Sequence, residues 1–375
     1  MSIFNNQNAV YSNDTYVFRD KTISDKIYSI QYLRGFAALF VVLYHSKDLM
    51  GNAWNKFVVN GFIGVDIFFI MSGFIIYYIT HNKKELNVKT FIIKRFLRIY
   101  PVFTFAWIAV FVFYYNNPRV IDMVKSYFLF HIDYNANAPT YKYNFVGPAW
   151  TLTYEIYFYL IFCVCGCISH TFRGLLSGIC LILLPIIIQY YFNGSFLIIS
   201  NAKAEFILTS VSESPLKILS NTMFWEFAFG IFIAFLFMKY RHALKNTNTK
   251  IKACVSLVLL SSFVYLMFFH GWIRQGVTGM LWPSVILVIA ALISEDVIKK
   301  EIKPLSFLGD ISYSLYLVHW IVIRVIQKHY PDLWDKMHGF GGLTLFVFIC
   351  LLISFITYKY IEKPTIKLAR KLTAN

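Results

Sequence analysis

The sequence predicts an all-α, polytopic membrane protein with about ten transmembrane helices and both termini in the cytoplasm. Two observations carry the fold class and a third carries the orientation. Of 375 residues, 58% are hydrophobic and only 14% charged, a composition foreign to soluble domains. The apolar residues are gathered into runs of roughly 17 to 25, the length that crosses the hydrocarbon core as a helix. Lys and Arg are shared unequally between the segments that connect those runs.

The runs lie at about 30–48, 61–80, 99–116, 150–169, 174–193, 221–239, 253–270, 277–294, 305–327 and 341–360. Residues 120–132 (VIDMVKSYFLFHI) are too short to cross and are expected along the outer interface. With the N-terminus in the cytoplasm, 23 Lys and Arg fall on inner segments, ten on outer ones, and two, Arg34 and Arg324, inside spans. This is the positive-inside asymmetry. It accounts for most of the net charge of +16 and argues against nucleic acid as a partner. The expected organisation is a cytoplasmic N-terminal tail (1–28), a membrane domain (29–364) and a cytoplasmic C-terminal tail (365–375). The six cysteines all sit in apolar segments, where they behave as small hydrophobes. No HxxxH or CxxC pair appears, so no metal is expected.

Each polar residue inside a span asks for a reason, because a charge at helix centre costs about 2.5 to 3.5 kcal/mol on insertion scales. Arg34 and His45, in LRGFAALFVVLYHS, are eleven residues apart. That is roughly 16 Å along the axis and about 20° from a whole number of turns, so both lie on one face at two depths. Asp66 in GVDIFFIMSGF and Glu155 in WTLTYEIYFY are expected near the depth of His45, where a carboxylate fixes the tautomer of a general base. Tyr313, Tyr316 and His319 in SYSLYLVHW form a second polar stripe. In KRFLRIYP, Lys94, Arg95 and Arg98 stand at the mouth of the third span. Arg95 and Arg98 share a helix face, and guanidinium forks bind phosphate bidentately, so a phosphorylated cytosolic ligand is expected there.

Taken in order, LRGFAALFVVLYHS, GVDIFFIMSGF, KRFLRIYP, GPAWTLTYEIYFY, FWEFAFG, LGDISYSLYLVHW and YIEKP are highly specific as a set. With them the chain, from Ser29 to Pro364, resembles the acyltransferase 3 family of integral membrane acyltransferases, many of which O-acetylate bacterial surface polysaccharides. The resemblance implies that Arg34 and His45 are needed for activity, and that Arg95 and Arg98, beside Lys94, meet an acyl-CoA donor. Asp66, Ser72, Glu155, Tyr313 and His319 match further motif positions of the family. Thr151 departs from the more usual Ser but keeps a hydroxyl. Some relatives carry a fused extracytoplasmic hydrolase-like domain; this chain resembles the stand-alone type.

The expected function is transfer of an acyl group, most simply from acetyl-CoA, to a hydroxyl of a surface or lipid-linked glycan such as O-antigen, capsule or exopolysaccharide. The expected location is the bacterial cytoplasmic (inner) membrane. His45 would take the proton, with Tyr313, Ser72 or His319 as donor to the oxyanion, and direct transfer is preferred to an acyl-histidine. A transporter or flippase of a glycan or small molecule is the alternative, since polar stripes also line transport pathways.

Overall fold

The structure is a computed structural model that describes residues 27–50, 58–81, 85–142, 144–269, 271, 274–298 and 300–374. The N-terminal tail up to residue 26, and with it Lys56, Lys83, Lys84, His270 and Lys299, lies outside the described residues. Among the described residues all regular elements are helical. Each expected span contains one long helix: α1 (Tyr28–His45), α2 (Ile63–His81), α3 (Val88–Phe113), α4 (Trp150–Ile168), α5 (Arg173–Asn193), α6 (Phe224–Lys239), α7 (Thr249–Phe269), α8 (Leu281–Ser294), α9 (Ser312–His329) and α10 (Phe340–Thr357). Among the described residues six helices are long and apolar enough to cross a membrane, or eight if two bent pairs each make one span. The two left out have local causes. In α1 the polar Gln31, Arg34 and His45 dilute the apolar content, and α8 is only 14 residues long.

Three boundaries differ from the hydropathy reading. α3 begins at Val88, eleven residues before the expected start at 99, because Asn87 caps it by accepting from Thr90 N at 2.9 Å. Lys94, Arg95 and Arg98 depress hydropathy without breaking the helix, so they sit within its second and third turns and not at a mouth. The ninth span is two helices, Lys303–Asp310 and α9, bent by 63° at Ile311. A shorter helix, Ser214–Leu219, meets α6 at 53° across residues 220–223.

α2 is the centre of the bundle and packs on α1, α6 and α8. Lipid tails are as apolar as Leu, so helices in a bilayer associate through close backbone approach, which small residues permit. Gly64 and Gly73 are nine residues apart, about two and a half turns, and so face opposite sides of α2. A Cβ on Gly64 would lie 2.2 Å from Ala37 O of α1, and one on Gly73 would lie 2.1 Å from Phe227 O of α6. Gly230 of α6 returns the contact, its Cβ position being 2.0 Å from Ile70 O. The outer faces of the bundle expose large apolar side chains, among them Val112, Val164, Ile187, Leu257 and Phe348, as lipid contact requires.

Two ends of the bundle are tied by polar contacts across long sequence separations. The first backbone N–H groups of α1, on Tyr28 and Ser29, donate to the Glu295 carboxylate at 3.0 and 2.7 Å, which suits the positive end of a helix dipole. At the opposite end, two buried lysines hold the long segments before α4 and before α6: Lys203 ties the second to the first, and Lys217 folds the second on itself. Lys203 Nζ donates to Asn135 O at 2.8 Å and to Ala136 O, while Lys217 Nζ donates to Ala204 O at 2.8 Å and to Phe206 O. The first of these segments also buries His131 completely, among the rings of Tyr134, Tyr141 and Tyr154.

Two outcomes test this architecture. Gly230→Ala is expected to lower the melting temperature of the detergent-solubilised protein, by an overpacking cost of about 1 to 3 kcal/mol. Gly178→Ala on α5, where nothing lies within 4 Å of the added Cβ, should leave it unchanged or raise it slightly. Burial pushes the His131 imidazolium from its usual 6.5 down to about 3. The unfolded chain then binds a proton that the folded chain refuses, so stability should fall as pH drops from about 6.5 toward 3. His131→Phe should flatten that part of a melting-temperature profile against pH.

Candidate functional site

The site is built on the seam between α1 and α9. Arg34 and His45, placed on one face of α1 by their spacing, both turn toward α9. Arg34 Nη2 donates to Ser312 Oγ at 3.0 Å, and His45 Nδ1 lies 3.1 Å from His319 Nε2. Ser312 and His319 are seven residues apart, close to two whole turns, and therefore share a face of α9. The bend at Ile311 puts Ser312 at the first position of α9, where its hydroxyl also donates to Gly309 O at 2.8 Å.

The hydrogen-bond partners assign the tautomers of the histidine pair. His319 Nδ1 is 3.0 Å from Leu315 O, an acceptor, so Nδ1 carries the proton and Nε2 presents a lone pair to His45. His45 Nδ1 is also 3.0 Å from Val41 O. With two acceptors around it, that nitrogen carries a proton, and Nε2 of His45 is left as a lone pair. Trp320 packs edge-on against the His45 ring with centroids 5.4 Å apart, and fixes its tilt. A half-buried imidazole that donates from Nδ1 and keeps Nε2 as a lone pair has the form of a general base.

Two cavities open along α1. The first, about 300 Å3, is lined by Arg34, Arg95 and Arg98 together with Ser72, Glu155, Tyr159, Ser312, Tyr313 and apolar residues of α2. Arg95 stacks over Phe91 and Tyr159 at 5.6 and 5.3 Å. Glu155 accepts from Ser72 Oγ at 3.3 Å and from the Tyr159 hydroxyl. Glu362, buried at the end of the chain's last span, accepts from Ser314 Oγ at 2.6 Å and interacts electrostatically with Arg98 and Arg34. Three guanidinium groups converging on one cavity suit a phosphate or another anion. Lys94, on the same helix, is half-buried and is not one of the residues that line it.

The second cavity, about 350 Å3, holds His45 with Tyr44, Trp150, Thr140, Ser200, Asn201, Arg274 and Gln275. Its roof comes from the segments that Lys203 staples together. Val65 of α2 lines both cavities.

The expected meeting of His45, Asp66 and Glu155 does not occur. Glu155 belongs to the arginine cavity, while His45 has His319 as its partner. Asp66 is fully buried on another face of α2, where it accepts from Gly276 N at 2.8 Å beside Glu226 of α6. Depth alone suggested the trio; rotation of α2, set by its glycines, separates it. The three candidate oxyanion donors are also committed elsewhere. Tyr313 donates to Ile99 O at 2.8 Å, Ser72 to Glu155, and His319 Nδ1 to Leu315 O.

Sequence reasoning missed Ser312, Tyr159, Glu362 and Trp320 as members of the site. Glu362 and Ser312 stand in quoted motifs, YIEKP and LGDIS, but nothing local separates a motif residue that packs from one that lines a cavity. Trp320 leaves a trace at Gly147 of GPAW, where a Cβ would fall 2.6 Å from its ring.

The comparisons with known proteins bear on the family. An acyltransferase domain family matches residues 27–359. The chain is 25% identical over 380 aligned residues to the O-acetyltransferase OatA of Staphylococcus aureus (strain NCTC 8325 / PS 47), covering 91% of this chain and 58% of that protein. It is also 25% identical over 370 residues to YrhL of Bacillus subtilis (strain 168), which carries the provisional name of a peptidoglycan O-acetyltransferase, covering 88% and 54%. The chain thus spans a little over half the length of these relatives. No solved structure matches it. With the match running from the start of α1 to the end of α10, the chain belongs to the acyltransferase 3 family.

Proposed function

We propose that this protein is an O-acyltransferase of the bacterial cytoplasmic membrane, acting from a cytoplasmic acyl-CoA, in the first instance acetyl-CoA, onto a hydroxyl of an extracytoplasmic glycan. The observation that carries the proposal is the pair of cavities along α1, one lined by guanidinium groups and the other by His45. Family membership and the O-acetyltransferase names of its relatives support the reaction class. The relatives' names add cell-wall peptidoglycan to the expected acceptors, alongside O-antigen, capsule and exopolysaccharide.

In this reading all ten helices cross and both termini are cytoplasmic, in keeping with the Lys and Arg asymmetry. α1 then runs outward, so the arginine cavity faces the cytoplasm and the histidine cavity faces the acceptor. Arg95 and Arg98 hold phosphate oxygens of the donor, and Arg34 stands along the path of its pantetheine arm. His45 Nε2 takes the proton of the acceptor hydroxyl as that oxygen attacks the thioester carbonyl. The tetrahedral intermediate then expels the CoA thiolate, which recovers the proton from the imidazolium. His319 holds the His45 tautomer and is a positioning residue.

Membranes supplied with acetyl-CoA labelled on the acyl group test this. Wild type should move label into alkali-labile ester on surface glycan, and His45→Ala should lose about 10²–10⁴-fold of the rate. His319→Ala should lower kcat while leaving KM for acetyl-CoA nearly unchanged, as loss of positioning predicts. Arg95→Ala/Arg98→Ala should instead raise KM for acetyl-CoA tenfold or more, since hydrogen bonds to charged groups contribute about 1.5 to 3 kcal/mol each. If wild type moves no label while a lipid-linked sugar is still translocated, the transferase reading is lost to the transporter.

A further inference from the structure

The GVD of GVDIFFIMSGF sets three consecutive residues on α2 about 100° apart. Gly64 is held against α1, its Cβ position being 2.2 Å from Ala37 O and 2.7 Å from Val41 Cγ2. Asp66 is held from another side by the Gly276 N–H at 2.8 Å. Gly276 directly follows Arg274 and Gln275, which line the histidine cavity. The residue between these two anchors has no freedom to rotate or slide with its helix.

That residue is Val65, the side chain common to both cavities. It is 6% exposed. In the lining of the arginine cavity, the Thr151 and Tyr316 hydroxyls lie 2.9 Å apart, and both donate toward Pro148 O at 3.1 and 2.9 Å. Trp150, the neighbour of Thr151, belongs to the histidine cavity. The lining thus combines a hydrogen-bonded brace at Thr151 and Tyr316 with the two methyl groups of Val65. A β-branched side chain in a helix has one strongly preferred χ1 rotamer, so those methyls also keep their place.

We propose that Val65 is the specificity-determining residue of acyl transfer: the acyl group reaches His45 by passing Val65, and its isopropyl group sets the largest acyl chain that passes. This rests on the transferase reading above. The chemistry is that of the transfer already described; Val65 takes no proton and forms no bond.

The test uses native membranes carrying the full chain and acetyl-, propionyl-, butyryl- and hexanoyl-CoA labelled on the acyl carbonyl, with label followed into ester on the cells' own glycan. Wild type should favour acetyl. Val65→Ala should raise the butyryl-to-acetyl ratio tenfold or more. Val65→Phe should lower acetyl transfer tenfold or more while binding of CoA itself stays within about twofold, a readout that a misfolded variant would fail. Should Val65→Phe misfold, the Val65→Ala ratio decides alone. An unchanged ratio in Val65→Ala, wild-type transfer by Val65→Phe, or a wild type that moves butyryl as readily as acetyl each overturns the assignment of Val65 and leaves the transferase standing. A wild type that moves no label from any thioester removes both.

Discussion

The rest of the structure depends on the close approach of α2 to α1 and α6. Backbones meet there at distances that only glycine allows, at Gly64 against Ala37 O and at Gly73 and Gly230 against Phe227 O and Ile70 O. In a bilayer no hydrophobic gradient presses helices together, so contact of this kind does what burial does in water. It also fixes rotation. With glycines on two opposite sides, α2 cannot turn about its axis without driving a side chain into a neighbour's carbonyl oxygen. The placement of Val65, Asp66 and Ser72 follows from that constraint.

The α1–α9 seam uses polar groups where α2 uses glycine. A polar group buried in a low-dielectric interior is costly alone and rewarding when paired. Arg34 finds Ser312, and His45 finds His319 and Val41 O. These bonds place the functional groups while they satisfy them. The bend at Ile311 serves the same end, since it sets the first turn of α9, with Ser312, beside Arg34. A straight helix would carry that hydroxyl past the guanidinium.

Helix identity and much of the site were legible because they are local properties. A run of apolar residues becomes a helix wherever the backbone must satisfy itself, and the eleven-residue spacing of Arg34 and His45 puts them on one stripe whatever surrounds α1. Reading failed where charge and helix coincide. α3 extends through Lys94, Arg95 and Arg98, of which Arg95 finds two rings and Arg95 and Arg98 a cavity, while hydropathy scores the charges as a boundary. It failed again for Asp66, which was expected beside His45 and instead accepts from Gly276 N–H on another face of α2.

The sequence by itself determined which segments are helical, which face of α1 is polar, and which residue types are available for anion binding and proton transfer. Those follow from periodicity and side-chain chemistry within one helix. Only the tertiary structure decided the partners: His319 and not a carboxylate beside His45, Gly276 N–H for Asp66, Glu155 among the arginines, and Val65 between two cavities. The physical reason is rotation. A helix's own sequence sets the angles between its side chains, but the angle at which the whole helix faces its neighbours is set by glycines and hydrogen bonds between residues up to 279 apart in the chain.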